Sequence, residues 1–294
     1  MVMDKISEQD PEKKIDNAIT IFPVPFVLEE INENFTVQTN TYSQPYKELI
    51  IKQAIKLHSQ GKISEASKYY QYIINQGFRD HTVFSNYGLI LKSIGKLNTA
   101  KTFYLEAIDI KPSFAESHQI LGDILKELGD LKEAEKYYRK AIKINPNIAN
   151  VYYNLGSILY ESDNLKEAEK YYRKAIKINP SIEFAHYNIG TILKKLGKIS
   201  EAEIFFRKAI EIKSDFADAY LNLGSTLIDL GNLIDAEINI LKAIELKPEF
   251  AKAYFALSTL KYKIDNKIWR NKLFSKTILN QKSDIEKINF YFAR

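Results

Sequence analysis

Apolar positions along this chain recur in pairs of short segments. Within each segment they fall three and four residues apart, which is the spacing of one face of an α-helix. Two stretches show the pattern best, LGDILKELGDLKEAEKYYRKAIKINP from Leu121 and LGSILYESDNLKEAEKYYRKAIKINP from Leu155. In both, a short polar break separates two amphipathic segments. The pattern therefore predicts helical hairpins, each made of two helices joined by a tight turn.

The hairpin pattern repeats every 34 residues. Proline closes four units, at positions 112, 146, 180 and 248, and Ser214 stands where another proline would fall. In this register the units begin near Lys47, His81, Ala115, Ala149, Glu183, Ala217 and Ala251. A fixed period of this length is the signature of stacked repeats, so the chain is predicted to be a repeat array.

Local chemistry marks the ends of the predicted helices. Glycine occupies most turns inside the hairpins, and Asp163 takes that place in the fourth unit. Both residue types tolerate the left-handed backbone conformation that ends a helix. Asp130 with Glu133, and Asn164 with Glu167, have the spacing of a capping box at the start of a second helix. The closing proline then ends that helix, because it lacks an amide donor.

These positions resemble the consensus of the tetratricopeptide repeat (TPR) family. The third unit carries that consensus at His118, Leu121, Gly122, Leu125, Ala134, Tyr138, Ala141 and Pro146. The resemblance is strong over residues 81–250 and weak over 47–80 and 251–284. It implies an all-α fold, a right-handed α-solenoid of about seven TPR helical hairpins whose first helices line a concave groove. In such a hairpin Gly122 lets the helices approach, and the ring of Tyr138 fills the space between them.

The two ends of the chain depart from the repeat. Residues 1–46 contain four prolines and are predicted to form an extended or mobile lead-in. Its apolar stretch, 19–28, is expected to cover the first repeat or to bind a partner as an extended strip. Residues 285–294 are predicted to start a further helix, which is either a C-terminal cap or a truncation point. Exposed aromatic residues in this last segment favour self-association through the C-terminal end.

Composition limits the chemistry that the chain supports. Its 294 residues are 45% hydrophobic and 27% charged, as in ordinary soluble proteins. The absence of cysteine excludes disulfides and thiolate sites, and the four histidines lie on four different units. No apolar run approaches the roughly 20 residues of a membrane span. We therefore expect a cytoplasmic, non-enzymatic protein with no cofactor, no metal and no membrane insertion.

The net charge of +5 is interpreted as a solvated outer face. Many of the cations lie on the predicted second helices, where glutamates intervene. Glu135 with Arg139, and Glu169 with Arg173, are four residues apart, the spacing of ion pairs on a helix surface. Because blocks of one sign are short, no nucleic-acid partner is expected.

The candidate site is the face of the first helices that points away from the core. The sixth position of the unit is asparagine four times, and Ile120 breaks the run. These asparagines are Asn86, Asn154, Asn188 and Asn222, and beside them lie Tyr153, Tyr160, Phe184, Tyr187, Lys194 and Lys195. An amide both donates and accepts, which suits a peptide backbone of any sequence. The run resembles the asparagine ladder in the TPR array of O-linked N-acetylglucosamine transferase, which implies a peptide-binding groove.

Two functions follow as hypotheses. The leading one is a non-enzymatic protein–protein interaction scaffold that holds an extended segment of another protein in the groove. The alternative is a substrate-recruiting module of an enzyme whose catalytic domain is absent from this chain. It comes from a resemblance to TPR arrays fused to sulfotransferase or glycosyltransferase domains. Asparagine at the sixth position also occurs in idealised TPR sequences with no implied ligand, so a purely structural role stays open.

Overall fold

A computed structural model describes residues 44–260, which form thirteen α-helices and no β-strand. The helices are α1 (Gln44–Ser59), α2 (Ile63–Asn75), α3 (His81–Ser93), α4 (Leu97–Ile110), α5 (Ala115–Glu127), α6 (Leu131–Ile144), α7 (Ala149–Glu161), α8 (Leu165–Ile178), α9 (Glu183–Lys195), α10 (Ile199–Ile212), α11 (Ala217–Asp229), α12 (Leu233–Leu246) and α13 (Ala251–Ser258). From α1 to α12, each odd-numbered helix packs on the even-numbered helix that follows it. The predicted all-α fold built of helical hairpins is confirmed.

The chain divides into two units after Pro112. In the first unit, α1 to α4 form two hairpins, and α2 packs on α3. In the second unit, α5 to α12 form four hairpins, and α13 packs on α12. Here each second helix also packs on the first helix of the next hairpin, so neighbouring hairpins are stacked within the unit.

The two helices of a hairpin meet where a glycine of the first faces a side chain of the second. A β-carbon built on Gly122 would lie 2.6 Å from Cε1 of Tyr138, and one on Gly156 would lie 2.9 Å from Cε1 of Tyr172. Both distances are shorter than real side chains allow. The rings are almost fully buried, so each occupies the space that the missing side chain leaves open. Only glycine permits this separation of the helices without a shift of the ring.

The turn inside each hairpin has the predicted left-handed residue. Gly129 has a φ of +83°, and Asp163 reaches a φ of +57° at the equivalent position. In both turns the next residue donates its backbone N–H back to the first helix. Asp130 N donates to Leu125 O at 2.8 Å, and Asn164 N donates to Leu159 O at 2.8 Å. The prediction that aspartate replaces glycine without changing the turn is confirmed.

The predicted capping boxes are only partly present. The side chain of Asp130 accepts a hydrogen bond from Glu133 N at 3.4 Å. The side chain of Asn164 makes no bond to a backbone N–H; its Nδ2 atom donates to Glu167 Oε2 at 3.3 Å. The prediction for Asn164 was therefore wrong: its amide nitrogen donates to the carboxylate, but its Oδ1 atom accepts no hydrogen bond from the backbone.

The second helix ends at the same place whether or not proline follows. Asn145, which precedes Pro146, and Lys213, which precedes Ser214, have nearly the same backbone conformation. Their N–H groups also make the same bond, to the carbonyl oxygens of Ala141 at 2.8 Å and of Ala209 at 2.9 Å respectively. Proline is therefore not required for this helix end, and where it is present it reinforces it.

The first helix begins earlier than the sequence predicted. The lead-in was expected to run to residue 46, whereas α1 already begins at Gln44. Pro45 lies in the first turn, where its missing N–H has no helical partner to lose. The predictions for residues 1–43 and 261–294, which include the last helix, lie outside the described residues.

The fourth position of the unit links neighbouring hairpins through the closing proline. His186 is buried, as predicted, and its Nε2 atom donates to the carbonyl oxygen of Pro180 at 2.9 Å. Tyr254 occupies the equivalent position and donates its hydroxyl to the carbonyl oxygen of Pro248 at 3.1 Å. The Nδ1 atom of His186 is buried and has no hydrogen-bond partner. Burial accordingly lowers the pKa of His186 below its usual 6.5.

Substitution of Gly122 by alanine is expected to destabilise the chain. The added methyl group would collide with the ring of Tyr138, and overpacking of this kind typically costs about 1–3 kcal/mol. This exceeds the helix-propensity gain of alanine over glycine, about 0.5–1 kcal/mol. Urea unfolding of Gly122→Ala would measure the loss. In a Tyr138→Ala background the same change should cost nothing, and an equal cost there would contradict the proposed collision.

Acidification is expected to destabilise the chain in part through His186. Because its pKa is lowered in the folded state, the unfolded chain binds the proton more readily. The free energy of unfolding should therefore fall as pH drops below about 6.5. The measurement is urea unfolding at several values between about pH 8 and about pH 5.

The matched variant for this test is His186→Tyr. Tyrosine at the fourth position keeps a donor for the carbonyl oxygen of Pro180, as Tyr254 shows for Pro248, but carries no charge in this range. We expect the variant to lose less stability on acidification than the natural chain. Some pH dependence should persist, because burial also lowers the pKa of His58. Identical pH profiles would show that His186 does not contribute.

Candidate functional site

The candidate site lies on α7, α9 and α11 in the second unit. Asn154, Asn188 and Asn222 occupy equivalent positions on these three helices, and all are partly buried. Two of them donate to the hairpin that precedes their own. Asn154 Nδ2 donates to Asp123 Oδ1 at 2.9 Å, and Asn222 Nδ2 donates to the hydroxyl of Tyr187 at 2.8 Å. These bonds join successive hairpins and fix the orientation of the amide groups.

Asn188 also lies against the preceding hairpin. Its side chain is next to the hydroxyls of Tyr153 and Tyr172. The two tyrosine rings pack with their centres 5.6 Å apart, and the Tyr172 hydroxyl donates to Ser157 Oγ at 3.2 Å. The middle asparagine therefore belongs to a network of neutral hydroxyl groups.

Tyr138 extends the same arrangement to Asn154. Its ring is fully buried, as predicted, but its hydroxyl donates to Asp123 Oδ1 at 2.7 Å. The same oxygen accepts from Asn154, so the aspartate joins a core tyrosine to a candidate site residue. Sequence reasoning treated these residues separately. The signal that links them is a spacing of 16 residues, which recurs between Tyr172 and Asn188.

The fourth predicted asparagine does not share this setting. Asn86 lies on α3 in the first unit and has no exposed surface. Residues 83–88 of α3 are all buried, so this turn of the helix has no open face. The expectation that Asn86 lines a binding groove is therefore corrected: the structure places its amide in the interior, where a ligand does not reach it.

Phe184 and Tyr187 belong to an aromatic cluster with a residue that the sequence analysis missed. The ring of Phe216, directly before α11, is centred 5.1 Å from that of Phe184 and 4.9 Å from that of Tyr187. Phe184 is 42% exposed, so the cluster presents an apolar surface to solvent. The sequence did contain a sign of Phe216: it is the last residue of its unit, and two other units also end in phenylalanine, at Phe114 and Phe250.

The two lysines predicted at the groove edge have different surroundings. Lys194 Nζ bonds to Ser225 Oγ at 2.6 Å and to Asp229 Oδ2 at 3.1 Å, so an adjacent carboxylate balances its charge. Lys195 Nζ lies 4.5 Å from the centre of the Tyr160 ring. Within residues 44–260, Lys195 forms no ion pair, and its charge remains open to a ligand.

The asparagine and tyrosine groups of the site offer neutral hydrogen bonding, and its charged groups include Asp123 and Lys195. Burial raises the pKa of Tyr153, Tyr172 and Tyr187, so their hydroxyls stay protonated near neutral pH. In the described part of the chain no three His, Asp or Glu side chains are grouped to hold a metal ion. None of its helices is both long and apolar enough to cross a membrane. The arrangement favours recognition of polar, extended groups.

Comparison with solved structures gives three similar folds. YrrB, described as "a TPR protein with an unusual peptide-binding site", is 26% identical over 64% of this chain and 96% of its own, with a TM-score of 0.57. MamA is 25% identical over 56% of this chain and 96% of its own, with a TM-score of 0.52. The pilF protein of Pseudomonas aeruginosa shares the fold at 21% identity, over 73% of this chain and 97% of its own, with a TM-score of 0.62.

Family models agree with these structures. One tetratricopeptide repeat model matches residues 114–181 and 148–215, and a second matches residues 81–114 and 217–250. No curated protein matches the chain. The family matches together span more than half of the sequence and coincide with the stacked hairpins described above. The chain therefore belongs to the tetratricopeptide repeat family.

Proposed function

We propose that the second unit binds an extended segment of another protein along α7, α9 and α11. TPR repeats are protein–protein interaction modules, which sets the class of partner. The observation that carries the proposal is the pair of oriented amides of Asn154 and Asn222, with Asn188 at the equivalent position of the hairpin between them. The similar protein YrrB is described as having a peptide-binding site, which supports the same use of this chain.

The oriented amides keep hydrogen-bonding capacity for a ligand. Asn154 and Asn222 each donate through Nδ2, which carries two hydrogens. No residue in the described part of the chain donates to their Oδ1 atoms. A peptide backbone offers one donor and one acceptor per residue, so it can pair with the remaining N–H and the oxygen of each amide. Recognition of this kind is independent of the partner's side chains.

Side-chain preference would come from the surroundings of the amides. The cluster of Phe184, Tyr187 and Phe216 offers an apolar surface next to Asn188 and Asn222. Exposed acidic residues lie on the same first helices, at Glu161, Asp218 and Asp229. The proposed partner segment is therefore neutral or slightly basic, with an apolar or aromatic side chain for the cluster.

The scaffold function and the absence of catalysis stay predictions for this chain. So do the resemblance to arrays fused to sulfotransferase or glycosyltransferase domains and the cytoplasmic location. No contact among the described residues favours recruitment for an attached enzyme over binding of an independent partner. The peptide-binding face is common to both possibilities.

Loss of either amide is expected to weaken peptide binding. Peptides selected from a random display library on the full chain would be titrated against Asn154→Ala and Asn222→Ala. Each amide that pairs with a backbone is worth about 1–2 kcal/mol, so each variant should lose roughly tenfold in affinity. The measurement is the dissociation constant by isothermal titration calorimetry.

Asn147→Ala is the matched control for these variants. This asparagine is exposed in the loop before α7, away from the candidate face. Its substitution should leave peptide affinity unchanged. Selected peptides that bind both amide variants as tightly as the natural chain would refute the proposal.

Removal of one core hydroxyl is expected to weaken binding without unfolding the chain. Tyr172→Phe keeps the ring that packs on Gly156, as Phe206 does against Gly190 in the next hairpin. It removes the hydroxyl that lies next to Asn188 and donates to Ser157 Oγ, at a cost of about 1 kcal/mol in stability. Peptide affinity should fall severalfold, while Phe206→Tyr should not reduce it. Unchanged affinity in Tyr172→Phe would show that the network does not position the amide.

A further inference from the structure

The exposed side chains of the second helices form a different surface, here called the outer face. Residues 34 apart occupy equivalent places on neighbouring hairpins, so one line of this face can be followed from α6 to α12. The line reads Lys136, Lys170, Ile204 and Ile238. A parallel line, four residues earlier, reads Lys132, Lys166, Ser200 and Ile234. The outer face therefore changes from lysine on α6 and α8 to isoleucine on α10 and α12.

The lysine half carries an excess of positive charge. The helices α6 and α8 have the same sequence, with five basic and two acidic residues each, and so carry six net positive charges between them. The whole chain carries only +5. The glutamates are already engaged, as in the bond from Arg139 to Glu135 at 2.7 Å and that from Arg173 to Glu169 at 2.8 Å.

The lysines that remain have no acidic partner among residues 44–260. They are Lys132, Lys140, Lys143, Lys166, Lys170, Lys174 and Lys177. Two of them lie over aromatic rings, with Lys140 Nζ 4.8 Å from the centre of Tyr137 and Lys174 Nζ 5.4 Å from that of Tyr152. All seven are exposed, so this half of the outer face is a concentrated cationic surface.

The apolar side chains of the isoleucine half are unusually exposed to solvent. Ile204, Ile234 and Ile238 are 67%, 70% and 59% exposed. The equivalent positions on α6 and α8 are lysines, so core packing does not require an apolar residue there. Exposed apolar residues grouped on one surface indicate an interaction site.

We propose that the outer face binds an anionic lipid bilayer. Unpaired lysines are attracted to acidic headgroups, and exposed isoleucines enter the boundary between headgroups and acyl chains. The proposed contact is peripheral. It uses none of the candidate peptide-binding residues, so the two proposals stand or fall separately.

The exposed isoleucines favour a bilayer over a nucleic acid as the partner. A phosphate backbone would attract the lysines but offers no apolar surface for Ile234 and Ile238. A bilayer can interact favourably with both halves of the face at once. The two halves also adjoin along successive hairpins, as the Arg173 guanidinium 4.9 Å above the Phe205 ring illustrates for α8 and α10.

Vesicle co-sedimentation of the full chain tests the proposal. Vesicles of phosphatidylcholine mixed with phosphatidylserine should bind the chain at least about tenfold more tightly than phosphatidylcholine alone, and salt should weaken this binding. A triple variant, Lys132→Glu, Lys166→Glu and Lys170→Glu, should lose that preference. A second triple variant, Ile204→Ser, Ile234→Ser and Ile238→Ser, should bind several times more weakly, and salt should release its remaining binding more readily.

The matched control changes three exposed lysines of the first unit to glutamate. Lys56→Glu, Lys62→Glu and Lys96→Glu give the same net charge and should leave vesicle binding intact. Equal loss in this control would overturn the assignment to the outer face. So would absence of vesicle binding, or equal binding to neutral and anionic vesicles. Lysine-dependent binding to duplex DNA without vesicle binding would reassign the face to nucleic acid.

Discussion

The molecule depends on one contact that recurs in five of its six described hairpins, between a glycine backbone on the first helix and a large side chain on the second; the hairpin of α1 and α2 has Ala54 at the glycine position. The contact sets the separation of the helices, and it persists when the chemistry of the side chain changes. Tyr138 and Tyr172 make it in the third and fourth hairpins, Phe206 makes it in the fifth, and Ile240 makes it in the sixth. Where the side chain is tyrosine, its hydroxyl emerges beside the first helix. Close packing and the hydrogen bonds of the candidate site therefore share a residue.

The sequence predicts best those features that depend on neighbours along the chain. The left-handed turn at Asp163, the buried ring of Tyr138 and the ends of most helices follow from residues a few positions away. The predictions fail at residues whose burial or hydrogen bonding depends on groups that the local sequence pattern does not identify. Asn86 looks like the other asparagines in the sequence, but the tertiary packing of α3 buries it. Asn164 looks like a cap, but its oxygen accepts no hydrogen bond from the backbone, and its amide nitrogen donates to Glu167.

The candidate site shows the same limit. Periodicity places Asn154, Asn188 and Asn222 on one face without further information. It does not reveal that Asp123 and Tyr187 accept their hydrogen bonds, because those residues belong to the preceding hairpin. Nor does it identify Phe216, which lies outside the helices and reaches the cluster only through the stacking of hairpins. These contacts depend on how repeats are joined, and a single repeat sequence does not contain that information.

The hydrogen bonds of Asn154 and Asn222 join neighbouring hairpins, so the proposed binding elements lie between hairpins and not within one. Each oriented amide needs an acceptor from the hairpin before it, so a lone hairpin supplies only half of a recognition element. Under the proposed function the recognition elements are the contacts between successive hairpins, and a stack has one fewer such contact than it has hairpins. The hairpin that opens the second unit carries Ile120 at the asparagine position, so the series of amides starts at the first such contact within that unit. Exchange of a single internal repeat would thus change two contacts at once, the one with the hairpin before it and the one with the hairpin after it.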